Sequence, residues 1–122
     1  MISYDDAIHI LISQFKDLEN IYFEDPEYYS DLPYVFYESK FTSYIMKIVI
    51  NNNYAKEQLQ KIFEFVEYLL ANGDEKTQNL VEVSVIESLF FEKDFMIKFD
   101  NLSKLFGEKT LNSFKKCIEY KK

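Results

Sequence analysis

Between residues 54 and 72 the apolar side chains Leu59, Ile62, Phe63, Val66, Leu69 and Leu70 recur at steps of three and four. That spacing lines one side of an α-helix, and Glu57 and Lys61 form an i, i+4 pair on the other. Asn72-Gly73 ends the helix, glycine being the usual terminator, and Asp74 offers an N-cap to a following helix read through Leu80, Val81, Val85, Ile86, Leu89 and Phe90. Two helices joined this tightly should lie antiparallel. The expectation is an all-α protein, a compact bundle of about five to six helices built on a central antiparallel hairpin.

The rest of the chain fits that plan. Ser3 starts the first helix, with Asp5 and Asp6 in its first turn, and the stripe Ile8, Leu11, Ile12, Phe15, Leu18 carries it to about Glu19. Residues 20 to 32 break the period, and Pro26 and Pro33 disfavour helix just before them, so this stretch reads as a loop. From Pro33 a stripe through Tyr34, Tyr37, Phe41, Tyr44, Ile45, Ile48 and Val49 predicts a second helix, although the β-branched "IMKIVI" within residues 41–50 also suits a strand. Asn51 to Asn53 make a turn. Residues 93–98 read as a looser segment, followed by a short helix over 99–107 and a last helix from about Glu108 to Tyr120 carrying Leu111, Phe114 and Ile118. A length of 122 residues suits one domain, 1–122, and 48% hydrophobic residues can fill its core.

Charge is unevenly spread within a net −7: residues 1–38 hold nine acids and one lysine, residues 93–122 four acids and eight lysines. The acidic part is a poor ligand for phosphate backbones and suits a basic protein partner instead. Neither a signal peptide nor a membrane-spanning run is legible, which reads as a cytoplasmic protein.

Conventional catalysis finds little to work with. Every conventional triad would need the single histidine, His9, which reads as a surface or boundary residue, and His9 with the single Cys117 cannot build a metal cage. Glu64 and Glu67 could form a carboxylate pair, but on a helix face such pairs usually serve solvation. No glycine-rich phosphate loop is present among only two glycines. The expectation is a non-enzyme with no cofactor and no metal. Cys117 reads as a small core residue. Glu87, inside the apolar run "VSVIESLFF", reads either as an acid at the core edge bonded to a neighbouring helix or as an exposed partner contact.

The segment "EDPEYYSDLP", residues 24–33, sets two tyrosines among carboxylates. Tyrosine offers rigid contact area with a hydroxyl at its tip, so Glu24, Asp25, Glu27, Tyr28, Tyr29, Asp31, Tyr34 and Glu38 form a candidate partner-binding surface. The competing reading folds the tyrosines back as a lid and leaves the acids facing water.

Residues 62–92, "IFEFVEYLLANGDEKTQNLVEVSVIESLFFE", resemble small all-helical immunity proteins of bacterial polymorphic toxin and contact-dependent inhibition systems. The likeness lies in Gly73-Asp74-Glu75, Asn79-Leu80 and Ile86-Glu87-Ser88-Leu89, and in "LFGEKTLNSF" near the end. Val85-Ile86 stand where that family has Phe-Leu, and Phe106 and Glu108 flank Gly107 where Leu and Pro are common. The resemblance implies an inhibitor that binds a cognate toxin, often a nuclease with a basic cleft. The alternative is a helical interaction module or regulatory subunit without a toxin partner.

Overall fold

The computed structural model describes residues 1–51 and 56–120, and among them every regular element is helical. Among the described residues nine α-helices are present where about five to six were expected. After a 3-10 turn at Tyr4–Asp6 come α1 (Ala7–Gln14), α2 (Lys16–Glu24) and α3 (Pro26–Ser30). Helix α4 covers 33–50, α5 is Lys56–Asn72, α6 covers 75–90, α7 is Lys93–Ile97, α8 is Phe99–Leu102 and α9 is Glu108–Tyr120. The "IMKIVI" stretch is therefore helix, not strand. The expected turn at Asn51 to Asn53 falls largely outside the described residues.

The first helix does not run unbroken to Glu19. Phe15 takes an extended backbone (φ −131°, ψ 100°) between α1 and α2. Its ring is buried against Phe41 at 5.8 Å and edge-on to Phe65 at 5.5 Å. Ile8, Leu11 and Ile12 before it and Leu18 after it are all buried, so the stripe carries across a break that periodicity cannot register.

The supposed loop is also helical in part. Each proline restricts only the residue before it, and those residues, Asp25 (ψ 69°) and Leu32 (ψ 59°), are non-helical. Between them α3 fits, with Pro26 in its first turn and the Asp25 carboxylate accepting from the Tyr28 N–H at 3.4 Å. Likewise 93–98 is not loose. The five residues of α7 are too few to show a period, yet they bury Phe95.

Helix α6 is central, touching α4, α5, α7 and α9. Its turn from α5 is closed by close approach. Gly73 has no positive φ, but a Cβ there would meet the Leu69 carbonyl oxygen at 2.6 Å and Thr77 Cγ2 at 2.7 Å. Residue 2 lies beside this turn: the Ile2 N–H donates to the Asn72 carbonyl and the Asp74 N–H to the Ile2 carbonyl, both at 2.7 Å. Asp74 caps α6 by accepting from the Thr77 N–H at 2.8 Å, and it also accepts from the Tyr4 N–H at 3.3 Å.

The Thr77 hydroxyl and N–H beside Asp74 hold its carboxyl below the ordinary carboxylate value. A lowered value means that the stabilisation is complete above the unfolded-state pKa and fades as pH falls through the folded one. Thermal midpoints measured down an acid series should therefore fall less steeply for Asp74→Asn than for the parent chain.

Helices α4 and α6 each contain one wide turn, Phe36–Phe41 and Glu82–Glu87, in which the backbone is π-helical, and the two turns lie against each other. The Thr42 N–H and hydroxyl both reach the Tyr37 carbonyl five residues back, and the hydroxyl stands 3.2 Å from the Ser84 carbonyl. Such single turns are frequent at functional sites. The Tyr37 ring is fully buried, its hydroxyl donates to the Ala7 carbonyl at 2.7 Å, and burial pushes its phenol well above the ordinary range.

Candidate functional site

Two surface regions combine charge with uncovered apolar groups. The first is the edge formed by α2, α3 and the start of α4. Between Lys16 and Lys40 every charged residue is acidic. Glu24, Asp25, Glu27 and Asp31 are exposed there, and so is Tyr28.

The tyrosines divide. Tyr28 is 52% exposed, whereas Tyr29 turns inward, edge-on to the Phe36 ring at 5.0 Å. Tyr34 is half-buried, 5.7 Å from the Tyr4 ring, and its hydroxyl accepts from the Asn79 side chain at 2.9 Å. Of the two tyrosines in the lid reading, Tyr29 folds back and Tyr28 does not. A second exposed ring, Phe23 at 62%, packs edge-on against Tyr22 at 5.2 Å. Sequence reasoning passed over Phe23. The signal was there: Tyr22 and Phe23 are adjacent on one helix, about 100° apart, and both cannot face the core.

Glu38 does not sit among the acids of that edge. It lines the second region, an open cleft of about 480 Å³ between α4 and α6, where the two π-turns meet. Glu38, Thr42, Ser43 and Met46 form one wall, and Val83, Glu87, Ser88, Phe91 and Glu92 the other. Among the described residues no lysine lines this cleft. Phe91 is 69% exposed and Val83 43%. Glu87 is half-buried on the wall. Phe91 and Glu92 were not singled out in the sequence, although Phe90-Phe91 carries the same signal of adjacent rings on one helix.

The remaining chemistry-bearing residues are structural or solvent-facing. His9 is exposed and edge-on to Tyr22 at 5.9 Å, and Cys117 is buried. Glu64 is exposed and accepts from Gln60 at 3.2 Å. Glu67 departs from the solvated role expected of it. Its carboxylate accepts from the Thr110 N–H at 2.8 Å, the Thr110 hydroxyl at 2.9 Å and the Lys109 N–H at 3.2 Å, capping α9 from another helix. Among the described residues no group of three or more His, Cys, Asp or Glu side chains is placed to hold a metal ion, and no helix is long and apolar enough to cross a membrane.

A family model, described as a domain of unknown function (DUF7674), matches residues 8–122. The chain belongs to that family. The match to DUF7674 takes in both the acidic aromatic edge and the cleft, and it stops short of residues 1–7, which include the segment hydrogen-bonded to the α5–α6 turn. No curated protein and no solved structure matches the chain.

Proposed function

We propose that this chain is an immunity protein: a helical inhibitor that binds a cognate bacterial toxin in the cytoplasm and neutralises it through the acidic aromatic edge. One observation carries the binding part of this reading. Phe23 and Tyr28 are exposed rings on a stretch whose charged residues from Asp17 to Glu38 are all acidic. Apolar rings held in water amid like charges gain most when a surface of opposite charge covers them. A nuclease offers such a surface, because a cleft that binds phosphates is lined with Lys or Arg. An acidic protein seated there would exclude the substrate without any catalytic group of its own.

The resemblance of residues 62–92 to immunity proteins supplies the toxin as the partner. In this reading α5 and α6, taken as an antiparallel hairpin, are the frame that holds the edge in place. Phe23 and Tyr28 are the anchors, while Glu24, Asp25, Glu27 and Asp31 steer the encounter.

Co-expression with the product of the gene immediately upstream, scored by co-purification and by growth, tests the proposal. A stable complex that restores growth is the expected result; neither complex nor rescue would sink it. Within such a complex, the Phe23→Ala/Tyr28→Ala double variant should weaken binding by about 2–4 kcal/mol, read by calorimetry or surface resonance. Glu24→Lys/Glu27→Lys should instead slow association and flatten its salt dependence.

A further inference from the structure

The bonds that hold residues 2–4 have the form of peptide recognition. Ile2 pairs in parallel with Gly73 as an isolated β-bridge, its N–H donating to the Asn72 carbonyl and its carbonyl accepting from the Asp74 N–H. The Thr77 hydroxyl stands 3.3 Å from that same carbonyl, and the Tyr4 N–H donates to the Asp74 carboxylate. Two alternate side chains accompany this backbone pairing. Ile2 is buried, and the Tyr4 ring meets the Lys76 ammonium at 4.2 Å and the Tyr34 ring at 5.7 Å. Main-chain bonds for affinity and alternate side chains for specificity are how an extended peptide is bound at a strand edge.

The segment can leave without unfolding what it lies on. Ser3 is extended (φ −85°, ψ 155°), the 3-10 turn Tyr4–Asp6 buries no residue, and the core stripe resumes at Ala7. Release takes one side chain, Ile2, out of the core and leaves Ala7, Ile8 and Leu11 in place, which is a local opening. The family match likewise begins at residue 8 and includes all of 72–77. Release uncovers the Asn72 carbonyl, the Asp74 N–H and carboxylate, the Thr77 hydroxyl and the site of one branched side chain.

We propose that the α5–α6 turn is a docking site for an extended segment of a partner protein, and that residues 2–4 occupy it in cis until that segment displaces them. The incoming segment carries a branched apolar residue and, two positions on, an aromatic one. Neither position accepts proline, because both N–H groups are used. A second copy of this chain is a poor occupant: its residues 2–4 offer only the bonds already made, against a tethered competitor at high effective concentration. Such docking goes beyond the toxin reading and does not depend on it.

The test uses the full chain carrying Ile2→Asp, in which the segment loses its buried anchor. The peptide acetyl-Met-Ile-Ser-Tyr-amide is titrated into the isotope-labelled variant and into the parent chain. Saturable shifts at Tyr34, Gly73, Asp74, Lys76 and Thr77 are expected in the variant, with binding to the parent at least about tenfold weaker because its own segment competes. An N-methyl group on the peptide tyrosine removes the donor to Asp74 and should weaken binding at least about fivefold. No shifts at 72–77, equal response in parent and variant, or indifference to the N-methyl group would overturn the assignment, and so would mixed dimers of parent and variant with no peptide response. Ile2→Ala repeats the titration with a smaller loss should the aspartate prevent folding. Hydrogen exchange in the parent chain adds a test free of substitution: the Asp74 N–H should exchange at least about tenfold faster than those of Ile62 and Val66 within α5. Equal exchange would mean that residues 2–4 leave only on global unfolding, and the site would then have no free state for a partner to meet.

Discussion

Phe114→Ala is expected to lower the unfolding free energy by about 3–5 kcal/mol, the range for deleting a buried ring. Phe114 is fully buried on α9, nearly parallel to Phe106 (5.0 Å, 13°) and to Phe95 (5.5 Å, 16°), with Phe99 edge-on beside it at 5.6 Å. Those three rings come from α7, from α8 and from the segment just before α9. One side chain therefore fastens short elements that have little stability of their own, since isolated helices this brief do not persist in water. Denaturant titration measures the loss. A reduced denaturant slope beside the lowered midpoint would mean that residues 93–106 have come loose before the rest. Because small domains hold only about 5–15 kcal/mol in total, this single truncation takes a large share.

Glu67→Ala should cost about 1.5–3 kcal/mol, because two backbone N–H groups and one hydroxyl lose a charged acceptor at once. Gly107 belongs to the same device. A Cβ at residue 107 would fall on the Glu67 carboxyl carbon and Cγ, so Gly107→Ala must push the carboxylate away from α9. The two substitutions should then be strongly non-additive. Measured by denaturation, Gly107→Ala should destabilise the parent chain and do little in the Glu67→Ala background. Equal cost in both backgrounds would show that residue 107 acts independently of Glu67.

How far the sequence reached follows from the range of the forces involved. Helices α5 and α9 were legible because each carries a continuous stripe and has local signals at its ends: Asn72-Gly73 for the first, Gly107-Glu108 for the second. Asp74 was legible as a cap because its partner, Thr77, is three residues away. Glu67 was not, because its partners lie 42 and 43 residues on, and local pattern shows only a polar side chain on a helix. The break at Phe15 was hidden by its own burial, since the ring occupies the position the stripe assigns to it. Residues 20–32 read as a loop because the period breaks there and a proline stands near each end of its second half, yet each proline acts on one neighbour and leaves room for a turn between them. At the candidate site, sequence found the acids and Tyr28. It missed the cleft because Glu38, Glu87 and Glu92 are brought together only by the contact of the two π-turns.

The hydrogen bonds between residues 2–4 and the α5–α6 turn also set an order of assembly. Tyr4 and Asp74 are seventy residues apart, so their contact closes a long loop whose entropic cost must be met by structure already formed. The turn at Gly73 needs only its neighbours and can form early. On a ribosome, residues 2–4 are made long before the Asp74 to which they attach. A segment made early is thus among the last to be fixed, and a nascent chain halted before residue 74 would leave that attachment unmade.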